Sequence, residues 1–340
     1  MASTPRSAAV SPENICGRAM VPGRCGGYPL RPMSSASTSR SDPTTVEASR
    51  GGLSPFVQGH LALFLAQFFF GMFPVFGRIA LDPERGFGPW VVAAWRITFG
   101  AVAMGALAFW LHRTEWKPRR EDLPRFAVCA LMGIVANQAL FLIGLNQSGA
   151  VDAGLVICLI PVWTWLIALG IRQERFVLRR GLGVVIAFAG MVPLAEQHGM
   201  GNALMAANTF CYAIYLVIAK PLTAKYPPLV VLAWVYLLSL PAMPFMMWGR
   251  SPLPAAPLEV VPWASMAYVL IGATVISYLL NLFALARVRS STTAFYIYLQ
   301  PMITAVGAYY FLEEPTPGNY LWAGVGLLIG GALVIERPKA

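Results

Sequence analysis

Apolar runs of about 20 residues, separated by short polar breaks, follow one another along the chain from Phe56 onward. A helix of about that length crosses the roughly 30 Å hydrocarbon core of a bilayer, so the pattern predicts an all-α polytopic membrane protein. The runs predict ten transmembrane helices, at about residues 57–80, 89–111, 123–145, 149–171, 179–195, 201–219, 229–248, 263–285, 291–312 and 319–335.

The chain also contains an internal repeat. Pro161–Glu174 aligns without a gap on Pro301–Glu314, 140 residues later, and the same register places Gly190 over Gly330. Earlier segments align with small changes of offset, residues 91–95 on 230–234 and residues 75–78 on 217–220. A fixed internal period indicates one architectural unit used twice.

Ten spans divided between two copies leave five per copy, and an odd number makes the copies cross the membrane in opposite directions. We therefore expect two inverted five-helix repeats, residues 55–198 and 199–340, preceded by a disordered cytosolic tail over residues 1–54. Met33 in that tail is a candidate natural start.

Basic residues in the breaks predict the orientation, because cytoplasmic loops carry an excess of Lys and Arg. If both termini lie in the cytoplasm, only two basic residues of the polar breaks, Arg85 and Arg250, lie on the opposite side of the membrane. The expected location is the plasma (inner) membrane. The acid-poor, Ser/Arg-rich tail leaves a plastid envelope as the alternative.

Composition narrows the class of function. The chain is 57% hydrophobic and 12% charged, and its net charge of +10 orients it in the bilayer, so we expect no nucleic-acid partner. No phosphate-binding loop, metal-ligand spacing or cofactor motif occurs, and the histidines lie at span ends. These observations predict a protein that is not an enzyme, with an intramembrane enzyme as the least favoured alternative and a passive channel or membrane receptor left open.

Further motifs point to a family. They are an arginine early in the second span (WRITFGAVA), a proline within the fourth and ninth spans, a glutamate closing each of these (RQER and LEEP), and glycine-rich fifth and tenth spans (GLGVVIAFAG and AGVGLLIGG). With two five-span halves, the chain resembles the EamA-type transporters of the drug/metabolite transporter superfamily over residues 61–336. The resemblance implies a carrier, usually an exporter, for a small organic solute such as an amino acid, a nucleobase or a drug-like compound.

Polar residues within spans are costly unless they face a cavity or a partner, so they are the candidates for function. The predicted cavity residues are Gln67, Arg96, Gln138, Asn208, Tyr212, Asn281, Tyr296 and Gln300. Amides of this kind also join membrane helices, which is the structural alternative. Arg96 is the only charge well inside a run, close enough to the span end for its side chain to extend to the surface, and Val235 takes its place in the second repeat.

Asp152 opens the fourth span, where it is expected to cap the helix or, alternatively, to couple transport to protons. Glu174 and Glu314 are expected to cap the helix that follows or to pair with an arginine such as Arg175. Pro161 and Pro301 bend their spans and are candidate hinges.

The expected partners are a small organic solute, the lipid bilayer and, if Asp152 couples, protons. The protein is expected to be a monomer or a homodimer. Without a nucleotide site, facilitated or membrane-potential-dependent export is favoured over proton antiport.

Overall fold

A computed structural model of the chain describes residues 54–285, 287–288, 296–314 and 318–334. The predicted tail, except for Ser54, and the candidate start at Met33 lie outside these ranges. All regular secondary structure within the described ranges is helical.

Fourteen α-helices are described. They are α1 (Pro55–Gly71), α2 (Phe73–Ala80), α3 (Pro89–Leu111), α4 (Leu123–Ala130), α5 (Asn137–Gln147), α6 (Ala150–Val156), α7 (Ile160–Gly170), α8 (Leu178–Thr223), α9 (Pro228–Ser239), α10 (Met243–Met247), α11 (Val260–Ala267), α12 (Ser277–Leu285), α13 (Leu299–Leu312) and α14 (Gly318–Val334). Short 3-10 turns at Arg120–Asp122, Ile157–Leu159 and Leu240–Ala242 and π-helical segments at Leu131–Ala136 and Tyr268–Ile276 join several of them.

Seven of these helices or continuous helical runs are long and apolar enough to cross a membrane, and Tyr320–Val334 is a shorter apolar helix. The longest, α8, has 46 residues. At 1.5 Å per residue it extends about 69 Å, roughly twice the hydrocarbon thickness. His198 inside it is non-helical, with φ −133° and ψ 53°, so α8 consists of two helical parts that cover the predicted fifth and sixth spans. The total of ten spans stays a prediction.

Prolines mark where several helices begin. Pro55, Pro89 and Pro228 are the first residues of α1, α3 and α9. A proline costs no hydrogen bond at this position, because the first N–H groups of a helix have no partner within it.

The same principle corrects one expectation for Pro161 and Pro301. Neither proline bends a continuous α-helix; both lie in the first turn of a new segment, α7 and α13 respectively. The break precedes each proline, as the 3-10 turn Ile157–Leu159 in the first repeat and as a turn at 297–298 in the second. Proline fits these positions because a first turn tolerates its missing N–H.

The two π-helical segments occupy equivalent places in the repeat. Leu131–Ala136 and Tyr268–Ile276 end at residues that the offset of 140 aligns, Ala136 with Ile276. A π-helical turn contains an extra residue, which rotates the following residues around the helix axis, and such segments are frequent at functional sites.

Glycines bring α8 and α14 into close backbone contact, and we call this contact the α8–α14 seam. A Cβ atom on Gly330 would lie 2.5 Å from the Ala187 nitrogen, and one on Gly190 would lie 2.9 Å from the Leu327 nitrogen. Small residues of this kind let membrane helices approach closely, which explains the glycine-rich fifth and tenth runs.

Segments that the charge pattern places on the same side of the membrane contact one another. At one end, Asp122 accepts hydrogen bonds from Lys225 Nζ (3.0 Å) and the Tyr226 hydroxyl (2.8 Å). At the other end, the Ala255 amide donates to the Gly86 carbonyl (2.8 Å). These contacts tie the two halves together at both ends.

Candidate functional site

A cavity of about 160 Å³ lies between the two halves. It is lined by six of the eight residues predicted to form it: Gln67, Arg96, Asn208, Tyr212, Asn281 and Gln300. Asn137 and Tyr278, which the sequence did not single out, line it as well. The cavity therefore combines one cation with a set of uncharged hydrogen-bonding groups.

Equivalent positions of the two repeats line the cavity from opposite sides. By the offsets of the repeat these pairs are Phe70 with Tyr212, Phe141 with Asn281, Ile157 with Ile297, and Ile160 with Gln300. In every pair the member from the first repeat is apolar, whereas three of the four from the second repeat are polar. The cavity is thus built on one framework used twice, although Gln67, Arg96 and Asn137 add polar groups from the first repeat outside these pairs.

Arg96 is buried, with 6% of its surface exposed, so its side chain does not extend to the membrane surface. Its Nε donates a hydrogen bond to Thr274 Oγ1 (3.1 Å), and its guanidinium carbon lies 4.2 Å from the centre of the Phe73 ring. Arginine at the centre of a membrane helix costs about 2.5–3.5 kcal/mol on insertion scales. A desolvated cation–π contact of about 2 kcal/mol and a hydrogen bond of about 1 kcal/mol offset most of that cost.

Gln300 joins the two halves across the cavity, since its Nε2 donates to Gln67 Oε1 at 2.5 Å. One turn further along α13, Thr304 Oγ1 donates to the Gly71 carbonyl (2.6 Å), at the break between α1 and α2. A carbonyl freed by a helix break needs such a partner inside a membrane. The break in the first span is therefore held by α13.

Asn137 and Asn208 form a second link between helices. Asn208 Nδ2 donates to the Asn137 carbonyl (2.6 Å), and Asn137 Nδ2 lies 3.5 Å from the Asn208 carbonyl. Both amide groups thus bind backbone of the neighbouring helix, an arrangement worth about 0.6 kcal/mol on average in membrane proteins.

Two predicted cavity residues lie elsewhere. Gln138 is 3% exposed and does not line the cavity, and its Oε1 is buried without a hydrogen-bond donor in the part of the chain that the structure describes. The π-helical turn before it rotates the helix so that Asn137 faces the cavity instead. Tyr296 also lies outside the lining, where its hydroxyl is 2.9 Å from His60 Nδ1.

Asp152 lies in a separate group that we call the α6 polar cluster: Asp152, His198, Asn202 and Glu314. Asp152 is 1% exposed, and its Oδ2 lies 2.8 Å from His198 Nδ1 and accepts from Asn202 Nδ2 at 3.4 Å. The same oxygen accepts from the Gly149 amide at 3.4 Å, which caps the start of α6. Arg96 binds Thr274 instead, so the two charges are held by different partners.

Glu314 caps a helix, but a different one from that expected. Its carboxylate accepts hydrogen bonds from the Ala150 amide (3.0 Å) and the Val151 amide (3.5 Å) at the start of α6, and from no described residue of the helix that follows it. Glu174 pairs with Arg180 and not with Arg175. The contact of Glu314 joins residues 164 positions apart, which local sequence reasoning does not reveal.

No group of three or more His, Cys, Asp and Glu side chains suited to a metal ion occurs in the part of the chain that the structure describes.

The model of the EamA-like transporter family matches the chain twice, over residues 57–194 and 199–337. The chain belongs to this family. The two matches meet at residues 195–198, beside the non-helical residue His198 of α8.

Several named relatives of this EamA-like transporter are transporters. A protein of Streptantibioticus cattleyicolor named a probable terminal-alkyne amino-acid exporter is 28% identical, over 76% of this chain and 87% of its own. An uncharacterized transporter of Archaeoglobus fulgidus is 26% identical, over 75% of this chain and 89% of its own. A WAT1-related protein of Arabidopsis thaliana is 22% identical, over 76% and 84% of the two chains.

A protein crystal structure shares the fold of this EamA-like transporter. It superimposes with a TM-score of 0.56 at 17% identity and covers 83% of this chain and 97% of its own. At this identity the likeness concerns the fold alone.

Proposed function

We propose that this EamA-like transporter exports a small organic solute by alternating access, with the cavity between the repeats as the substrate site. The observation that carries the proposal is the lining of the cavity by equivalent positions of both repeats. Inverted halves around a central site are a recurring design of secondary transporters. The exporter named among the relatives supports export as the direction.

Tight packing on the α6 side of the cavity supports one closed face. A Cβ atom on Gly154 of α6 would lie 2.8 Å from Thr304 Cβ of α13, and one on Gly307 would lie 2.7 Å from the Met72 sulfur. Beyond these contacts, Glu314 holds the first amides of α6. Opening this face requires α6 to separate from α13, and the turns before Pro161 and Pro301 are the proposed hinges.

We assign this closed face to the outside of the cell, following the excess of Arg and Lys at the other end. A cysteine at Gly199, where a Cβ meets nothing within 4 Å, is then labelled by a membrane-impermeant maleimide from outside. A cysteine at the exposed Glu115 is labelled only after permeabilisation. The reverse pattern would overturn the orientation.

Asp152 lies in the α6 polar cluster and not in the cavity lining. This position favours facilitated or membrane-potential-dependent export over proton antiport. In the alternative, proton antiport, Asp152 would be the residue that couples transport to protons. An enzyme is not proposed, because the family and the named relatives are transporters.

Counterflow in liposomes tests the proposal. The purified protein is loaded with unlabelled solutes in turn, and uptake of the same labelled solute is measured. A carrier gives uptake that rises with the internal solute, because the loaded site returns faster, whereas a channel gives no such stimulation. Absence of stimulated uptake for every amino acid, nucleobase and cationic drug tested would contradict the proposal.

A further inference from the structure

Arg96 brings an unmatched positive charge to the cavity. Its only hydrogen bond within the described residues uses Nε, so the two terminal nitrogens of the guanidinium have no acceptor there. No Asp or Glu is among the described residues that line the cavity. Tyr278 lines the same cavity.

The free edge of the guanidinium selects a type of ligand. The terminal nitrogens present parallel N–H donors that match the two oxygens of a carboxylate, and such paired bonds are both strong and directional. A phosphate monoester carries about −1.5 to −2 charges at neutral pH, so a single arginine would leave part of its charge unmatched. One buried cation therefore fits one carboxylate.

The other residues that line the cavity indicate the chemistry of the rest of the ligand. Phe70, Phe73 and Phe141 provide apolar surface, whereas Asn281 Oδ1 is buried without a donor among the described residues. A carbonyl oxygen of this kind is an acceptor that an N–H group of a ligand can satisfy. At about 10–15 Å³ per water-sized group, the 160 Å³ cavity holds a ligand on the order of ten heavy atoms.

We propose that Arg96 binds the carboxylate of a small solute with an apolar body, and that Asn281 accepts a hydrogen bond from a nitrogen of that solute. The inference rests on the proposed function, since it names the substrate class of the same cavity. It also explains why the second repeat has Val235 in the place of Arg96: a single carboxylate needs a single cation.

Three probes that share one branched hydrocarbon body test the assignment: L-leucine, 4-methylpentanoate and 3-methylbutan-1-amine. Each is titrated calorimetrically into the purified full-length protein in detergent, where binding is measured without translocation. We expect both carboxylates to bind, L-leucine more tightly, and the amine to bind at least about tenfold more weakly than either, because it lacks the group that Arg96 binds.

Variants distinguish loss of the carboxylate contact of Arg96 from general loss of folding. Arg96→Gln should weaken binding of both carboxylates at least about tenfold, and Arg96→Lys should keep part of their advantage over the amine. Asn281→Leu should weaken L-leucine but not 4-methylpentanoate. The matched control is Arg250→Gln, since Arg250 lies outside the cavity and donates to the carbonyls of Met246 and Trp248.

The proposal fails if the amine binds wild-type protein as tightly as the acids, if none of the three binds, or if Arg96→Gln leaves carboxylate affinity unchanged. The wild-type comparison decides the case even where Arg96→Gln does not fold. Carboxylate binding without counterflow of any solute would contradict the proposed function alone, and counterflow of solutes that lack a carboxylate would contradict the anchor alone.

Discussion

The cavity and the α6 polar cluster both bury charge between the two halves, but the two charges differ in their hydrogen-bond partners. In the cavity, the terminal nitrogens of Arg96 have no described acceptor. In the cluster, Asp152 Oδ2 has His198, Asn202 and the Gly149 amide as partners, whereas Oδ1 has no hydrogen-bond partner among the described residues. Removing a protein partner from a buried charge is destabilising, whereas a buried cation with free donors is available to a ligand.

The two regions also differ in packing. Around the α6 polar cluster, Gly154 of α6 packs directly against Thr304 of α13, and Glu314 binds the start of α6. Around Arg96, the side chains leave a cavity. This difference is consistent with our proposal that the cluster closes one face of the cavity and that the cavity holds the solute.

Both regions depend on α8, which carries His198 and Asn202 to the cluster and Asn208 and Tyr212 to the cavity. The largest effect should therefore come from the α8–α14 seam. Gly330→Ala places a methyl group 2.5 Å from backbone of α8, which cannot move aside as a side chain could. We expect a loss of about 2–3 kcal/mol of stability, with a lower unfolding temperature and less monodisperse protein.

Gly324→Ala is the matched control in the same helix, because its new methyl group would meet only Leu155 Cδ2, at 3.4 Å. It should leave the unfolding temperature unchanged or raise it, since alanine has the higher helix propensity. Equal behaviour of the two variants would show that the seam is looser than the backbone distances indicate.

The contrast also shows what local sequence can predict. Hydropathy places helix ends within a few residues, and the predicted run 89–111 has the bounds of α3. The amide pattern identifies Gln67, Asn208, Asn281 and Gln300 because burial of a polar group in a membrane is costly wherever it occurs.

Other features depend on geometry that periodicity does not carry. Asn137 lines the cavity in place of the predicted Gln138 because a π-helical turn rotates the helix. The sequence LMGIVA contains no pattern that predicts this turn. The contacts of Glu314 with Ala150 and of His198 with Asp152 join distant segments, so they follow only from the packed structure. Of the repeated residues, Gly190 and Gly330 could have been read as a packing contact, since each recurs in a glycine-rich run.

Within the cavity, Gln300→Leu should have the next largest effect. It removes the donor to Gln67 Oε1 and leaves that buried oxygen unsatisfied, at a cost of about 1–3 kcal/mol. We expect counterflow to fall about tenfold while the protein remains folded.

Gln138→Leu is the comparison variant, because Gln138 lies outside the cavity and its buried Oε1 already lacks a donor among the described residues. It should leave counterflow unchanged and stability equal or higher, since an apolar group replaces an unsatisfied one. If Gln138→Leu impaired counterflow as much as Gln300→Leu, the cavity would extend further along α5 than its present lining.

In the cluster, Glu314→Ala removes the acceptor of the Ala150 and Val151 amides. Loss of a helix cap costs about 1 kcal/mol, a factor of about five in an equilibrium. Hydrogen exchange of residues 150–156, followed by mass spectrometry, should accelerate by about that factor. The exposed Glu196 gives the control Glu196→Ala, which should leave this exchange unchanged; equal acceleration in both variants would remove Glu314 from the closed face.

Asp152→Asn should have the smallest effect on transport. The asparagine keeps the size of the side chain and an oxygen that can accept from Asn202, but loses the charge that His198 and the first turn of α6 bind. We expect a drop of a few degrees in the unfolding temperature, because hydrogen bonds to a charged group are worth about 1.5–3 kcal/mol. The ratio of fluxes with and without an imposed pH gradient should stay that of the wild type, since the carboxylate lies outside the cavity.

His198→Gln offers the matched test, as His198 is 43% exposed and is the partner through which protons from solvent would reach Asp152. Loss of gradient-driven accumulation in Asp152→Asn, with counterflow retained, would make Asp152 the coupling residue and replace facilitated export by proton antiport.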